Sequence, residues 1–161
     1  MPLITSPTDR LPVVFTAQSK IFFYCRDAVC EFVFSRGAVP INPFRVFEYF
    51  LGDRVERDLV RQGNNNLIHI VDELWVFGDV IADGVLAEIC LANELQKPTR
   101  FFTIHNKADQ IREITPLELR FEPEVRKRWS LDRQELIDVI LGRRRDPNDP
   151  QLSMFDDGQK P

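Results

Sequence analysis

The sequence lacks long apolar runs and an excess of basic residues, and each absence excludes a class of protein. No apolar run approaches the ~20 residues that span a bilayer, and no basic segment followed by a long apolar stretch opens the chain. We therefore expect a cytoplasmic protein with no membrane partner. The formal net charge is −4 at pH 7, so direct binding of duplex DNA is not expected, because that binding depends on a basic surface.

Cysteine and histidine are also scarce, and their spacing does not indicate a metal site. The three cysteines, Cys25, Cys30 and Cys90, show no CxxC pattern and lie among apolar residues. His69 and His105 do not form a ligand pair. We expect reduced thiols in the core, no metal and no cofactor.

What the chain does contain is an alternation of short apolar runs with segments of helical periodicity. Its 161 residues are 43% hydrophobic and include 13 Phe, enough for one sizeable core. The alternation predicts an α/β fold, a doubly wound parallel sheet of four to five strands, flavodoxin-like or Rossmann-like, with helices on both faces. The predicted strands are residues 20–25, 38–41, 72–77 and 99–104, with an edge strand at 111–114, and the helices are 27–36, 45–51, 54–71 and 84–96.

Three regions follow from this pattern. Residues 1–19 are predicted to be an irregular extension, in which LPVVF is either an added edge strand or a loop. Residues 20–142 form the α/β domain, where residues 117–129 are either irregular or helical from Glu122 on and a last helix spans 130–141 with Ser130 as its cap. Residues 143–161 are rich in Pro, Asp and Gly and form a flexible tail.

One acidic residue lies where an apolar residue is expected. In the stretch WVFGDVIADGVLAEICLA, a helix of 100° per residue places Glu88 within the arc of Val85, Ile89 and Ala92. Burying an ionised carboxylate without partners costs several kcal/mol. Either Glu88 caps a turn, or it is partly exposed at the sheet edge, or it is retained for function.

The carboxyl ends of the predicted strands bring several polar segments to one edge of the sheet. A carboxylate beside a tyrosine hydroxyl and a helix N-terminus suits covalent attack on a sugar anomeric carbon. Glu88 is the candidate carboxylate, with the Tyr24 hydroxyl expected beside it, and Asp83 or Asp79 is the acid that assists the leaving base. Candidate substrate-binding residues are Arg26, Asn42, Pro43, Phe44, Asn64, Gly78 and Gly84, with Phe44, Phe47 and Tyr49 as apolar walls.

The segments KIFFY, INPF, DELWVFG and DGVLAEICLANELQKP resemble the nucleoside 2-deoxyribosyltransferase-like superfamily, which includes nucleotide N-glycosidases. In that family a strand beginning with Asp precedes a Gly-containing loop and the nucleophilic Glu; Asp72, Gly84 and Glu88 show similar spacing. The family's orienting tyrosine is similar to Tyr24, or to Phe23 after a one-residue shift. The resemblance implies a nucleoside or nucleotide substrate and a homo-oligomer.

Two departures from the family leave two functions open. Asn64 stands where the family carries an Asp that contacts sugar or base, and CRDAV lacks the glycine-rich phosphate loop, although Arg26 can replace it as an anion partner. The first hypothesis is an enzyme that cleaves or transfers the N-glycosidic bond. The alternative is a binding module of the same fold that senses a nucleotide without turning it over.

A short motif in the tail indicates a protein partner. Gln151, Leu152, Ser153, Met154 and Phe155 resemble the peptide that docks bacterial proteins on the DNA polymerase sliding clamp. The glutamine forms hydrogen bonds at the pocket rim, and the apolar residues fill its clefts. A chance match, or packing against the domain itself, is the alternative.

Overall fold

The computed structural model describes residues 9–47, 51 and 54–144. Five strands form the central sheet in the order β2-β1-β3-β5-β6. The strands are β1 Val13–Gln18, β2 Val39–Ile41, β3 Glu73–Phe77, β5 Thr99–Phe102 and β6 Glu113–Ile114. All neighbours are parallel except β5 and β6, which are antiparallel. The predicted α/β fold is confirmed, with an antiparallel strand at one edge.

The parallel strands are joined by helices that run back across the sheet. They are α1 Arg26–Ser35 between β1 and β2, α3 Arg57–Ile70 between β2 and β3, and α4 Asp83–Glu94 between β3 and β5. A four-residue helix, α2 Pro43–Val46, follows β2 directly. Strands β2 and β3 lie on opposite sides of β1, so the order in which strands are added to the sheet reverses between β2 and β3. In open α/β sheets, ligands usually bind in the crevice at the carboxyl ends of the strands where this reversal occurs.

Side chains that alternate along the strands separate two apolar layers. Phe15, Leu74 and Val76 pack with the buried residues of α3, α4 and a later helix, α6 Arg133–Ile140. Val14, Trp75 and Phe77 pack on the other face with α1. Both faces are therefore covered, which explains why the strands read as continuous apolar runs.

The prediction that residues 20–25 form the first strand is wrong. That run, Lys20–Cys25, is a 3₁₀ helix, and the first strand is Val13–Gln18, inside the region predicted to be an irregular extension. The domain boundary placed at residue 20 therefore falls after the first strand. Both runs are apolar and of strand length, but β-branched valines lead the first one, whereas Ile21 and Tyr24 of the second are 61% and 58% exposed.

The last part of the described chain adds elements that the pattern did not resolve. A second sheet pairs β4 Val80–Ile81 with β7 Arg120–Phe121. Helix α5 Pro123–Trp129 then leads to α6. Ser130 does not cap α6, because it adopts a left-handed conformation (φ 54°) at the end of α5. The side chain of Asp132 caps α6 instead, accepting a hydrogen bond from the Glu135 backbone N–H. Among the described residues, no helix is long and apolar enough to cross a membrane.

Candidate functional site

The loops that follow β1 and β2 are held by a buried pair of amide side chains. Gln18 and Asn42 are 6% and 1% exposed. Asn42 Nδ2 donates to Gln18 Oε1 at 2.9 Å, and Gln18 Nε2 donates to the Phe22 carbonyl at 2.8 Å. Asn42 Oδ1 also accepts from the Phe44 backbone N–H at 3.0 Å, which caps α2. The carboxyl ends of β1 and β2 are thus joined by a satisfied polar network.

The predicted residues Tyr24 and Arg26 lie in the first of these loops. The Arg26 guanidinium donates to the Phe23 carbonyl at 3.1 Å and lies over the Phe23 ring, 5.4 Å from its centre. Burial raises the pKa of the Cys25 thiol, and a hydrogen bond with the Tyr24 side chain opposes that rise. Within the described chain, the Tyr24 side chain thus contacts its own loop, at Cys25 and Phe22, rather than Glu88.

The loop from β3 to α4 holds Gly78 and two paired aspartates. Gly78 has φ +114°, a conformation that a side chain would strain. Asp79 pairs with Arg120 of β7 at 2.8 Å. Asp83 pairs with Arg128 and accepts from Trp129 Nε1 at 3.1 Å, so it anchors α5 to the start of α4. The predicted acid assistants are therefore both engaged in ion pairs with the β7–α5 segment.

Glu88 differs from these acids because it has no ion pair or hydrogen bond with any part of the chain that the structure describes. The residue keeps some contact with solvent, but burial raises the pKa of its carboxyl group to about 8. The predicted apolar arc around it is present, since Val85, Ile89 and Ala92 are buried. At neutral pH the carboxyl group is mostly protonated.

The side of α4 that carries Glu88 is turned away from α6. On the opposite side, Asn93 Nδ2 donates to the Val139 and Ile140 carbonyls of α6, and five residues at 100° each place it about 140° from Glu88. Helix α3 packs on α4. Lys97, beyond the end of α4, donates to the Val71 carbonyl at the end of α3 at 2.7 Å.

Asn64 lies on the buried side of α3. Asn64 precedes the fully buried Ile68 by one turn, and Ile68 packs in the same cluster as Val85 and Ile89 of α4. The Oδ1 atom of Asn64 is buried and has no hydrogen-bond partner among the residues that the structure describes. We call the contact between helices α3 and α4 the α3–α4 interface.

The poor helix formers before and after Asn64 have separate explanations. A Cβ on Gly63 would lie 3.1 Å from the Phe47 ring, so the glycine lets the end of α2 approach α3 closely. Asn65 and Asn66 are exposed. Of the predicted apolar wall, Phe47 lies against α3, and Tyr49 lies outside the described residues.

The structure therefore brings together only part of the predicted site. Asn42 caps α2, whose first residues are Pro43 and Phe44, while Asn64 lies on α3 and Glu88 on α4. Gly84 is exposed, and a Cβ added at this position would have no atom within 4 Å. The sequence analysis did not identify Gln18, although a glutamine at the end of the apolar run VVFTAQ was the available signal.

Neither a cavity nor a metal-binding cluster in the described chain forms a competing site. A shallow cavity of about 360 Å³, lined among others by Asn93, Thr99 and Leu141, lies at the opposite, amino edge of the sheet. Within residues 9–47, 51 and 54–144, no group of three or more His, Cys, Asp or Glu side chains could hold a metal ion.

Comparison with known proteins adds a family without a known activity. A family model described as "Domain of unknown function (DUF7768)" matches residues 20–102, just over half of the chain. The matched part runs from the 3₁₀ helix after β1 to the end of β5 and includes Asn42, Asn64 and Glu88. No curated protein matches the sequence.

Proposed function

We propose that this chain, which belongs to the DUF7768 family of unknown function, cleaves or transfers the N-glycosidic bond of a nucleoside or nucleotide. The proposed nucleophile is Glu88, and the proposed site is at the carboxyl edge of the central sheet. The observation that carries the proposal is the Glu88 carboxyl group on α4, which has no partner among the described residues and whose pKa is raised by burial. Every other acid that was predicted for this edge is paired. Unpaired buried carboxyl groups with a raised pKa are concentrated at functional sites.

The chemistry needs the ionised form of Glu88. Its carboxylate attacks the anomeric carbon, the base leaves with the bonding electron pair, and a glycosyl ester forms on Glu88. Water or a second base then attacks the same carbon and releases the carboxylate. With a pKa of about 8, about a tenth of the molecules are ionised at pH 7, so base release should increase as the pH rises toward 8 and beyond.

Base release from a panel of nucleosides and nucleoside monophosphates tests the proposal. We expect release by the wild type and at least a 1,000-fold loss in Glu88→Gln, because the amide is not a nucleophile. Glu94→Gln, on the exposed side of the same helix, is the matched control and should retain activity. Release that persists in Glu88→Gln, or a folded wild type that releases no base from any compound, would overturn the proposal.

A binding module is the second candidate, and the neutral state of Glu88 favours it. A protonated carboxyl group can donate a hydrogen bond to a ligand but cannot attack carbon. Calorimetric titration of the same compounds separates the two functions, since a sensor binds them without releasing base.

The free cysteines of the described chain support action in a reducing compartment, which we propose is the cytoplasm.

A further inference from the structure

A groove opens at the amino edge of the central sheet, where the end of α6 meets strands β5 and β6. Its volume is about 360 Å³, near the lower end of the range of about 300–1,000 Å³ that is usual for ligand pockets. The buried residues Phe101, Ile114 and Ile140 line it, together with Leu141, which is 41% exposed. We call this cavity the amino-edge groove, and it has room for a few apolar side chains.

The charged and amide groups beside the amino-edge groove already have partners. Arg100 donates to both carboxylate oxygens of Glu113, at 3.0 and 2.8 Å, and its guanidinium lies over the Trp75 ring, 4.7 Å from the centre. Asn93 Nδ2 donates to two carbonyls of α6. A charged ligand would have to compete with these contacts, so the groove suits an apolar segment better than an ion.

The chain leaves the described structure beside this groove. Gly142 follows Leu141 with φ +73°, a left-handed conformation that ends helices and turns the chain away from the helix axis. A Cβ at Gly142 would lie 3.8 Å from Nδ2 of Asn93, which lines the groove. The described chain ends at Arg144, three residues beyond Leu141. The residues that follow Arg144 therefore start close to the groove.

The apolar residues of the tail can reach the groove from there. Residues 145–161 lie outside the described structure, and their hydrophobic residues other than proline are Leu152, Met154 and Phe155. Leu152 is eight residues beyond Arg144, which gives a reach of about 26 Å in an extended chain. We infer that residues 152–155 dock in the amino-edge groove of their own chain. The inference is independent of the proposed function, because that site lies at the opposite edge of the sheet.

The short connection makes even a weak contact sufficient. A segment that becomes ordered on binding has modest affinity, and we expect a Kd of about 0.1 mM for the separate peptide. A short linker holds the segment at an effective concentration of about 1 mM. The ratio of these two concentrations predicts that about nine in ten molecules have the segment in their own groove.

The other end of the described chain offers a competing occupant. Residues 1–8 include Leu3 and Ile4, and the chain enters the described structure near Arg10, which pairs with Asp72 just before β3. Strand β5 separates β3 from β6 in the sheet, whereas the end of α6 lines the groove itself. The position of α6 therefore favours the tail, and residues 1–8 provide a control.

Methyl NMR tests the inference in the full chain. The wild type is compared with the double variant Leu152→Ala, Phe155→Ala. We expect the methyl resonances of Ile140 and Leu141 to shift in the double variant, because these side chains lose their apolar contacts with the tail. The methyl resonances of Val33, in the apolar layer on the other face of the sheet, should not shift.

A peptide of residues 145–161, titrated into the double variant, separates docking from an indirect effect. It should shift the same groove resonances with a Kd of about 0.1 mM. Leu141→Ser in this background should weaken the binding at least about 10-fold, because the leucine loses its apolar contact. Leu59→Ser, the same change at an exposed leucine of α3, is the matched control and should leave the binding unchanged.

Removal of residues 1–8 should leave the groove resonances unchanged. The inference would be overturned by identical groove resonances in the wild type and the double variant, by shifts on removal of residues 1–8, or by peptide binding that Leu141→Ser does not weaken. Groove resonances that change with protein concentration would show that the tail of a second copy is the occupant, and would also overturn it. If Leu141→Ser does not fold, the comparison of the wild type with the double variant decides, because those two substitutions lie outside the described residues.

Discussion

At the scale of single residues, the ionisation of Glu88 links stability to function. Its carboxyl group has an ordinary pKa of 4.5, which burial raises to about 8. The folded protein therefore holds a proton between pH 4.5 and 8 that the unfolded chain releases. Linkage makes the folded state progressively less stable across that window, because unfolding is coupled to ionisation in water.

We predict that Glu88→Gln increases the free energy of unfolding at pH 8 and leaves it nearly unchanged at pH 4.5. The expected gain at pH 8 is about 2 to 3 kcal/mol, less than the full pKa difference implies, because the residue retains some solvent contact. Urea unfolding of both proteins at the two pH values measures it. Glu94→Gln is the control and should show no such pH dependence; an equal effect at both pH values would contradict the buried-carboxyl interpretation.

At the scale of secondary-structure elements, the contact between α2 and α3 depends on a glycine inside a helix. Alanine is favoured over glycine in a helix by about 1 kcal/mol. At Gly63, however, the added Cβ would lie 3.1 Å from the Phe47 ring, closer than an ordinary contact. The helix preference for alanine and the steric conflict with Phe47 oppose each other. A smaller residue at position 47 would remove the steric conflict.

We therefore predict that Gly63→Ala and Phe47→Leu are not additive. Gly63→Ala should be neutral or destabilising alone, but should stabilise the Phe47→Leu protein by about 1 kcal/mol, since the helix preference remains and the steric conflict does not. Thermal and urea unfolding of the four proteins in this cycle give the coupling. Additive effects would show that Phe47 does not restrain the glycine.

At the scale of the whole molecule, the chain continues past α6 into residues that lie outside the described structure. The predicted clamp-binding motif, Gln151 to Phe155, lies there, so its role stays a proposal. A peptide that binds a partner through a few apolar side chains typically has modest affinity, because its ordering on binding has an entropic cost.

We predict that a peptide of residues 149–157 binds a bacterial sliding clamp with a micromolar Kd, measured by calorimetric or fluorescence titration. Replacing Leu152 and Phe155 with Ala should abolish the binding, because these side chains fill the apolar clefts. A peptide with the same composition in scrambled order is the control. The partner proposal fails if neither the native nor the substituted peptide binds.

The sequence by itself determined the fold class and most of the elements. Apolar runs of strand length alternate with helical periodicity, and this local pattern places α1, α3, α4, β3 and β5 within a few residues of their observed ends. It also identified Glu88 as a polar residue on an apolar helix face. Periodicity is a local property, so helices and strands that follow it can be predicted without knowledge of their neighbours.

Only the tertiary structure decided which of two similar runs is the first strand, and which acids remain unpaired. VVFTAQ and KIFFYC are both short and apolar, and pairing with β2 and β3 selects the first of them. Asp79, Asp83 and Glu88 are all acidic, and the sequence alone does not distinguish them. In the structure, arginines of β7 and α5, which are distant along the chain, form ion pairs with the two aspartates. Ion pairs and burial depend on residues far apart along the chain, and only folding brings those residues into contact.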